Sequence, residues 1–165
     1  MRFAPAFALV ALLLTASAAQ AQSNRDACTM LPDAELDAML GADREVVEQH
    51  GAGTGVSFCH WGGGEGMGIR LHSITAVSQN IVGGTPLDYF LQNQGYQIES
   101  LTPANAHELS GPWQAGYMVD VTTEPNPDQV YSITFLNKDD TVTLETYGLT
   151  KDITQQLAEA VAAGM

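Results

Sequence analysis

With 165 residues, 19 of them acidic and 6 basic, the chain has the length of one domain and a formal charge of −13. So large an excess of acid repels phosphate backbones and anionic lipid heads, which excludes nucleic acid and membrane surfaces as expected partners. The acids are spread along the chain, as on a solvated surface suited to salt, and a basic protein partner and a cation site are the other two readings.

The chain opens with Arg2, an apolar run from Phe3 to Leu14, and the small-residue step Ala19-Gln20-Ala21. That order predicts a secretory signal peptide over residues 1–21, removed to leave a single α+β domain over 22–165. The run is too short to span a bilayer, and no second one follows. The expectation is a periplasmic or secreted protein, soluble after signal-peptide removal and without membrane insertion. Arg25-Asp26-Ala27 stand before Cys28, where a lipidation box would need small and aliphatic residues. Beyond the leader the basic residues are Arg25, Arg44, Arg70, Lys138 and Lys151.

Cys28 and Cys59 are the only cysteines, and in an oxidising compartment they are expected to form a disulfide. Closing a loop of about 32 residues stabilises a fold by roughly 3–4 kcal/mol on the chain-entropy view. A reactive thiol beside His60 is the weaker reading, because strand neighbours point to opposite faces.

Leu31-Pro32-Asp33 opens a short helix whose stripe is Leu36, Met39 and Leu40, with Gly41 as its stop. Asp43 to His50 fits either a strand or a further helical turn. Val56 to Trp61 and Met67 to Ala76 read as a β-hairpin around the glycine-rich 62–66 turn. Ser57, Cys59 and Trp61 share a face there with Met67, Ile69 and Leu71. The glycines are no phosphate loop, since no Gly-Lys-Ser/Thr and no helix follow. Thr85-Pro86 with Asp88 starts a second helix, striped by Leu87, Phe90 and Leu91, and Gly95 is expected to end it. Tyr96 to Leu101 then reads as a strand, and Thr102 to Trp113 as loop with a helical turn near Ala104 to Leu109. Three strands follow, Ala115 to Thr122, Val130 to Leu136 and Val142 to Tyr147, with short connections that force antiparallel pairing. Lys151 to Ala163 closes as a helix on Ile153, Leu157 and Val161. This order predicts an α+β fold, an antiparallel sheet of five to six strands with three short helices.

No catalytic residue is nominated, and no cofactor or metal is expected. Pairing Trp61 with Met67 puts His60 and His72 on one face, but roughly 13 Å of strand rise apart, too far to share an ion. Arg70 between them would repel a cation. His50 and His107 fall in loop-like stretches. Asp139-Asp140 reads as turn chemistry, with no EF-hand ladder around it. Ser110-Gly111 lacks the nucleophile elbow of α/β-hydrolases. Trp61 reads as core, whereas Trp113, in Gly111-Pro112-Trp113, is a candidate to line a cleft or anchor a partner. The candidate binding surface is Trp113, Tyr117, His60, His72 and Arg70.

The pattern Cys28-x-x-Leu31, Glu35-Leu36, Leu40-Gly41 and Cys59-x-Trp61 resembles that of small exported bacterial proteins, among them the DUF3558 lipoproteins, a family of unknown function. The resemblance implies an α/β/α sandwich of the PsbP and Mog1 kind and no catalytic residues. The chain departs from those lipoproteins in lacking a lipidated cysteine, and in having Gly111-Pro112-Trp113-Gln114-Ala115 where they carry a Gly-x-Gly-Asp segment. The function expected from charge and export is non-enzymatic binding in the cell envelope, concretely inhibition of, or immunity to, a basic envelope enzyme. A periplasmic metal or small-ligand carrier is the alternative, and a hydrolase with a dispersed site the next.

Overall fold

The computed structural model describes residues 26–50, 55–75, 81, 83–100, 105–121 and 129–165. The leader expected over 1–21 and the turn expected at Glu124 to Asp128 lie outside these residues. Asp26 caps a single turn of 3-10 helix, Ala27–Thr29. Helix α1 (Asp33–Leu40) follows and stops at Gly41, whose φ of 89° only glycine adopts without strain. Strands β1 (Glu45–His50), β2 (Val56–Gly62) and β3 (Gly68–Thr75) form the first antiparallel group. Helix α2 (Pro86–Ser100) crosses to the far side of the sheet. From there β4 (Ala106–Glu108), β5 (Ala115–Asp120), β6 (Val130–Asn137) and β7 (Asp140–Tyr147) run back. Helix α3 (Lys151–Ala163) ends the chain.

The result is one open sheet of 7 strands in the order β1-β2-β3-β7-β6-β5-β4, every pair antiparallel. An α+β fold with an antiparallel sheet and three helices was expected; the strand count is higher for two local reasons. The ambiguous 43–50 stretch is a strand, and Ala106–Glu108 pairs with β5 where loop and a helical turn were expected.

Of the strand expected over 96–101, residues 96–100 are instead the last third of α2. Gly95 did not stop the helix. A glycine ends a helix when it turns left-handed, as Gly41 does, and Gly95 is not among the glycines with positive φ. In a helical conformation it costs only about 1 kcal/mol relative to alanine. Buried Phe90 and Gln94, one turn apart on the same stripe, hold the helix against β4 and β5. At its start Thr85 and Asp88 cap each other: Thr85 N–H donates to Asp88 Oδ2 (2.8 Å) and Asp88 N–H donates to Thr85 Oγ1 (3.2 Å). Those bonds hold the Asp88 carboxyl below its ordinary value.

Alternate residues of the strands build the core. Cys59, Ile69, Leu71, Val142, Leu144, Ile133, Phe135 and Met118 are fully buried on one face. Over them lie α1, the 3-10 turn and α3, which brings Leu157 and Val161. Burying such a side chain stabilises by about 1.5–3 kcal/mol each. Two polar ties sit inside this layer. Ala27 N–H donates to Ser57 Oγ (2.8 Å), and the hydroxyls of Thr146 and Thr154 share a hydrogen bond (2.5 Å). The β6–β7 turn holds the far end of α3, where Asn137 Nδ2 donates to Ala162 O (3.0 Å) and Lys138 Nζ to Met165 O (2.9 Å). These donors satisfy carbonyls that the helix end leaves open. Cys28 and Cys59 are joined as a disulfide with Cα atoms 5.1 Å apart, pinning the N-terminal segment to β2.

Candidate functional site

The opposite face of the sheet is only half covered. Among the described residues helix α2 packs mainly on β4 and β5, and it borders β2, β3 and β7 at a cleft with Val56, Ile74 and Thr141. Strand registers place Glu48, His60, Arg70, Glu145 and Ser132 in one row across β1, β2, β3, β7 and β6. The next row holds Phe58, His72, Thr143, Thr134 and Tyr117. Both rows face away from the core.

At the centre Arg70 Nη1 donates to the Tyr147 hydroxyl (2.6 Å), and that hydroxyl donates to Glu145 Oε2 (2.9 Å). The guanidinium carbon lies 4.8 Å from the Tyr147 ring centroid, a cation–π distance, and Arg70 Nη1 is 3.9 Å from Glu145 Oε2. With side chains 43% and 38% exposed, the ion pair itself contributes about 0–1 kcal/mol. Arg70 Nε is buried without a partner among the described residues. Burial, with the Glu145 carboxylate as acceptor and charge, raises the Tyr147 phenol above its ordinary value, so it stays protonated. His60 is lowered below its ordinary 6.5 by burial and then by Arg70, against a smaller pull from Glu48, so its imidazole is neutral at neutral pH. Phe58 and His72 meet edge to face, ring centroids 5.5 Å apart at 76°. The site thus has a hydrogen-bonded cation, neutral imidazole and aromatic surface, a set suited to recognition.

The two histidines share the face expected for them, but the hairpin register differs. Trp61 pairs with Ile69, not Met67, so His60 faces Arg70 and His72 faces Phe58. The five-residue turn runs Gly63 to Met67, because Gly63 N–H donates to Met67 O (2.9 Å) and Gly66 takes a φ of 78°. An even shift keeps every side chain on its face. It also turns the separation expected between His60 and His72 into a diagonal neighbour relation of roughly 7–8 Å. Among the described residues no group of three His, Cys, Asp or Glu side chains is placed to hold an ion. His107 lies in β4 beside Lys151, and its imidazole is also lowered, by burial and then by that lysine. The His50 side chain is outside the described residues.

Beside the open rows, where α2 meets the sheet, lies a cleft of about 360 Å³ lined by Val56, Ile74, Tyr89, Phe90, Tyr117 and Thr134 among others. The Phe90 and Tyr117 rings stand 6.1 Å apart. Tyr117 therefore joins His60, His72 and Arg70 at the border of one surface, and Trp113 does not. Its indole stacks on Phe135 (4.9 Å, 21°) on the covered side, and its N–H donates to Leu109 O (3.0 Å). Gly111 and Gly116 lie so close to the ring that a Cβ would come within 2.2 and 2.6 Å of it. Trp113 is thereby locked in place, at the wall of a smaller cleft of about 330 Å³ beside Gln94 and Glu108.

Glu48, Phe58, Glu145 and Tyr147 were not singled out from sequence. The apolar alternation Val142, Leu144, Thr146 assigns Glu145 and Tyr147 to the other face, but their meeting with Arg70 spans 77 residues of chain. Comparison with family models, with curated proteins and with solved structures finds no match for this chain.

Proposed function

We propose that the chain is an exported binding protein of non-enzymatic type that engages a basic partner protein through the open half of its sheet. Its concrete form is an inhibitor of, or immunity protein for, a basic envelope enzyme. The observation that carries the reading is the less covered face among the described residues: Phe58, His60, Arg70, His72 and Tyr147 stand together there on a chain of formal charge −13. Aromatic and arginine side chains supply contact area, and the field of the whole chain steers a cationic partner. The Arg70–Tyr147–Glu145 network favours recognition over reaction, since it keeps Tyr147 protonated and engages Arg70. The leader read from residues 1–21 and the disulfide both agree with an oxidising compartment. The likeness to the DUF3558 lipoproteins, and with it a PsbP/Mog1-type sandwich, rests on the quoted cysteine, leucine and tryptophan pattern and on helices lying over both faces.

The test is retention of envelope proteins by the chain from Gln22 onward, at low and high salt, against an Arg70→Ala variant that removes the central contact area without adding acid. A basic protein held at low salt, released at high salt and lost by the variant is the expected result. Retention of no basic protein by the unaltered chain would dismiss the reading.

The cleft beside α2 favours a second reading, a carrier of a small apolar ligand. Its size and its aromatic and hydroxyl lining are those of small-molecule sites. Displacement of a neutral fluorescent probe from the chain, absent in an Ile74→Trp variant that fills the cleft, distinguishes it from the first.

A further inference from the structure

The two edges of the sheet are protected to different degrees. β4 is 3 residues long, α2 packs on it, and Lys151 Nζ reaches His107 Nε2 at 3.3 Å. A short strand and an adjacent lysine both blunt an edge against pairing. β1 is 6 residues long, and on it Val46 and Val47 are 50% and 53% exposed. No strand lies beyond β1 among the described residues, so one side of its backbone is open to pairing.

Glu45 and Glu48 flank the valines. The adjacent Arg44 does not neutralise them, because its guanidinium is engaged by Asp33 (2.5 Å) and Asp37 of α1. A bulge between Val46 and Glu48 sets Val47 over Gly62, where a Cβ would lie 2.9 Å from Val47 Cγ2, while Val46 pairs with Trp61 on the core side. Exposed β-branched side chains between negative charges thus border an unpaired edge.

We infer that β1 is the docking edge for an extended basic segment of the partner, added to the sheet as a further strand. Its lysine or arginine side chains lie beside Glu45 and Glu48 on the open face, and its alternate apolar ones beside Val46 on the core side. This rests on the basic-partner reading above and names how that partner docks. A second copy of the chain is the wrong occupant, because its own β1 carries Glu45 and Glu48 and no lysine or arginine to meet them. Glu48 also stands beside His60, so the added strand continues the open face.

The probe is a short end-blocked peptide alternating lysine and valine, followed by fluorescence anisotropy. Saturable binding should weaken about tenfold from low to high salt. Reversing both charges in Glu45→Lys/Glu48→Lys should weaken it by about tenfold or more. N-methylation of the amides along one edge of the peptide should abolish binding, and along the other edge should leave it intact. Equal binding of peptides methylated on either edge, or by the charge-reversed chain, would overturn strand addition. So would low-salt dimerisation through β1 in sedimentation. The parent reading is judged separately: if the charge-reversed chain retains the same basic envelope protein and Arg70→Ala loses it, the edge inference falls and the basic-partner reading stands. If the unaltered chain retains none, both fall.

Discussion

The two faces of the sheet come from the same strands and differ only in which alternate residues they carry. On the covered face, β3 and β7 contribute Ile69, Leu71, Val142 and Leu144, all fully buried beneath helices. On the open face the same strands contribute Arg70, His72, Thr143, Glu145 and Tyr147. The first face holds the molecule together; the second is less covered among the described residues, because α2 packs mainly on β4 and β5. A residue on the open face can therefore change at small cost in stability, which is the condition for a binding surface.

The largest effect should come from the covered face. Phe135→Ala removes the ring on which Trp113 stacks and should cost about 3–5 kcal/mol in urea unfolding, with a change in tryptophan fluorescence. A loss below about 1 kcal/mol would mean that this face is not the stabilising one. Next comes the staple: Cys28→Ser/Cys59→Ser should cost about 2–5 kcal/mol, read as the same unfolding midpoint with and without reductant.

Arg70→Ala reverses the ranking. Its exposed pair with Glu145 predicts a stability change within about 1 kcal/mol, whereas loss of a central arginine contact should weaken partner binding by about 2 kcal/mol, roughly thirtyfold. Equal losses in stability and binding would erase the distinction between the faces.

The smallest effect is in pH. His60 and His107 both have their protonation held below 6.5 in the fold. Below 6.5 the unfolded chain takes up protons that the folded chain does not, so stability should fall as the medium is acidified from neutral through that range. The loss is complete once the pH is below the folded-state values. His60→Gln/His107→Gln should flatten that slope in thermal melts from pH 7 to about pH 5; an unchanged slope would assign it to other groups.

Much of the fold was legible one element at a time. The caps at Thr85 and Asp88, the stop at Gly41 and the i, i+4 spacing of Leu157 and Val161 are contained within a few residues each, so they could be read directly. Gly95 misled because the same residue type serves as cap or as mere helix interior, and only packing of Phe90 and Gln94 decides between them. The candidate surface was legible in part. His60, Arg70 and His72 followed from the alternation of one hairpin. Glu145 and Tyr147 did not, since β3 and β7 pair across nearly half of the chain.

The sequence by itself determined which residues could be apolar stripes, which turns could bend and which cysteines could join, because steric and hydrogen-bonding preferences act over a few residues. Tertiary structure alone decided that β7 inserts beside β3, that α2 shields half of a face, and that Trp113 is locked while Arg70 is displayed. Those choices depend on burying one continuous core, a quantity that no local segment contains.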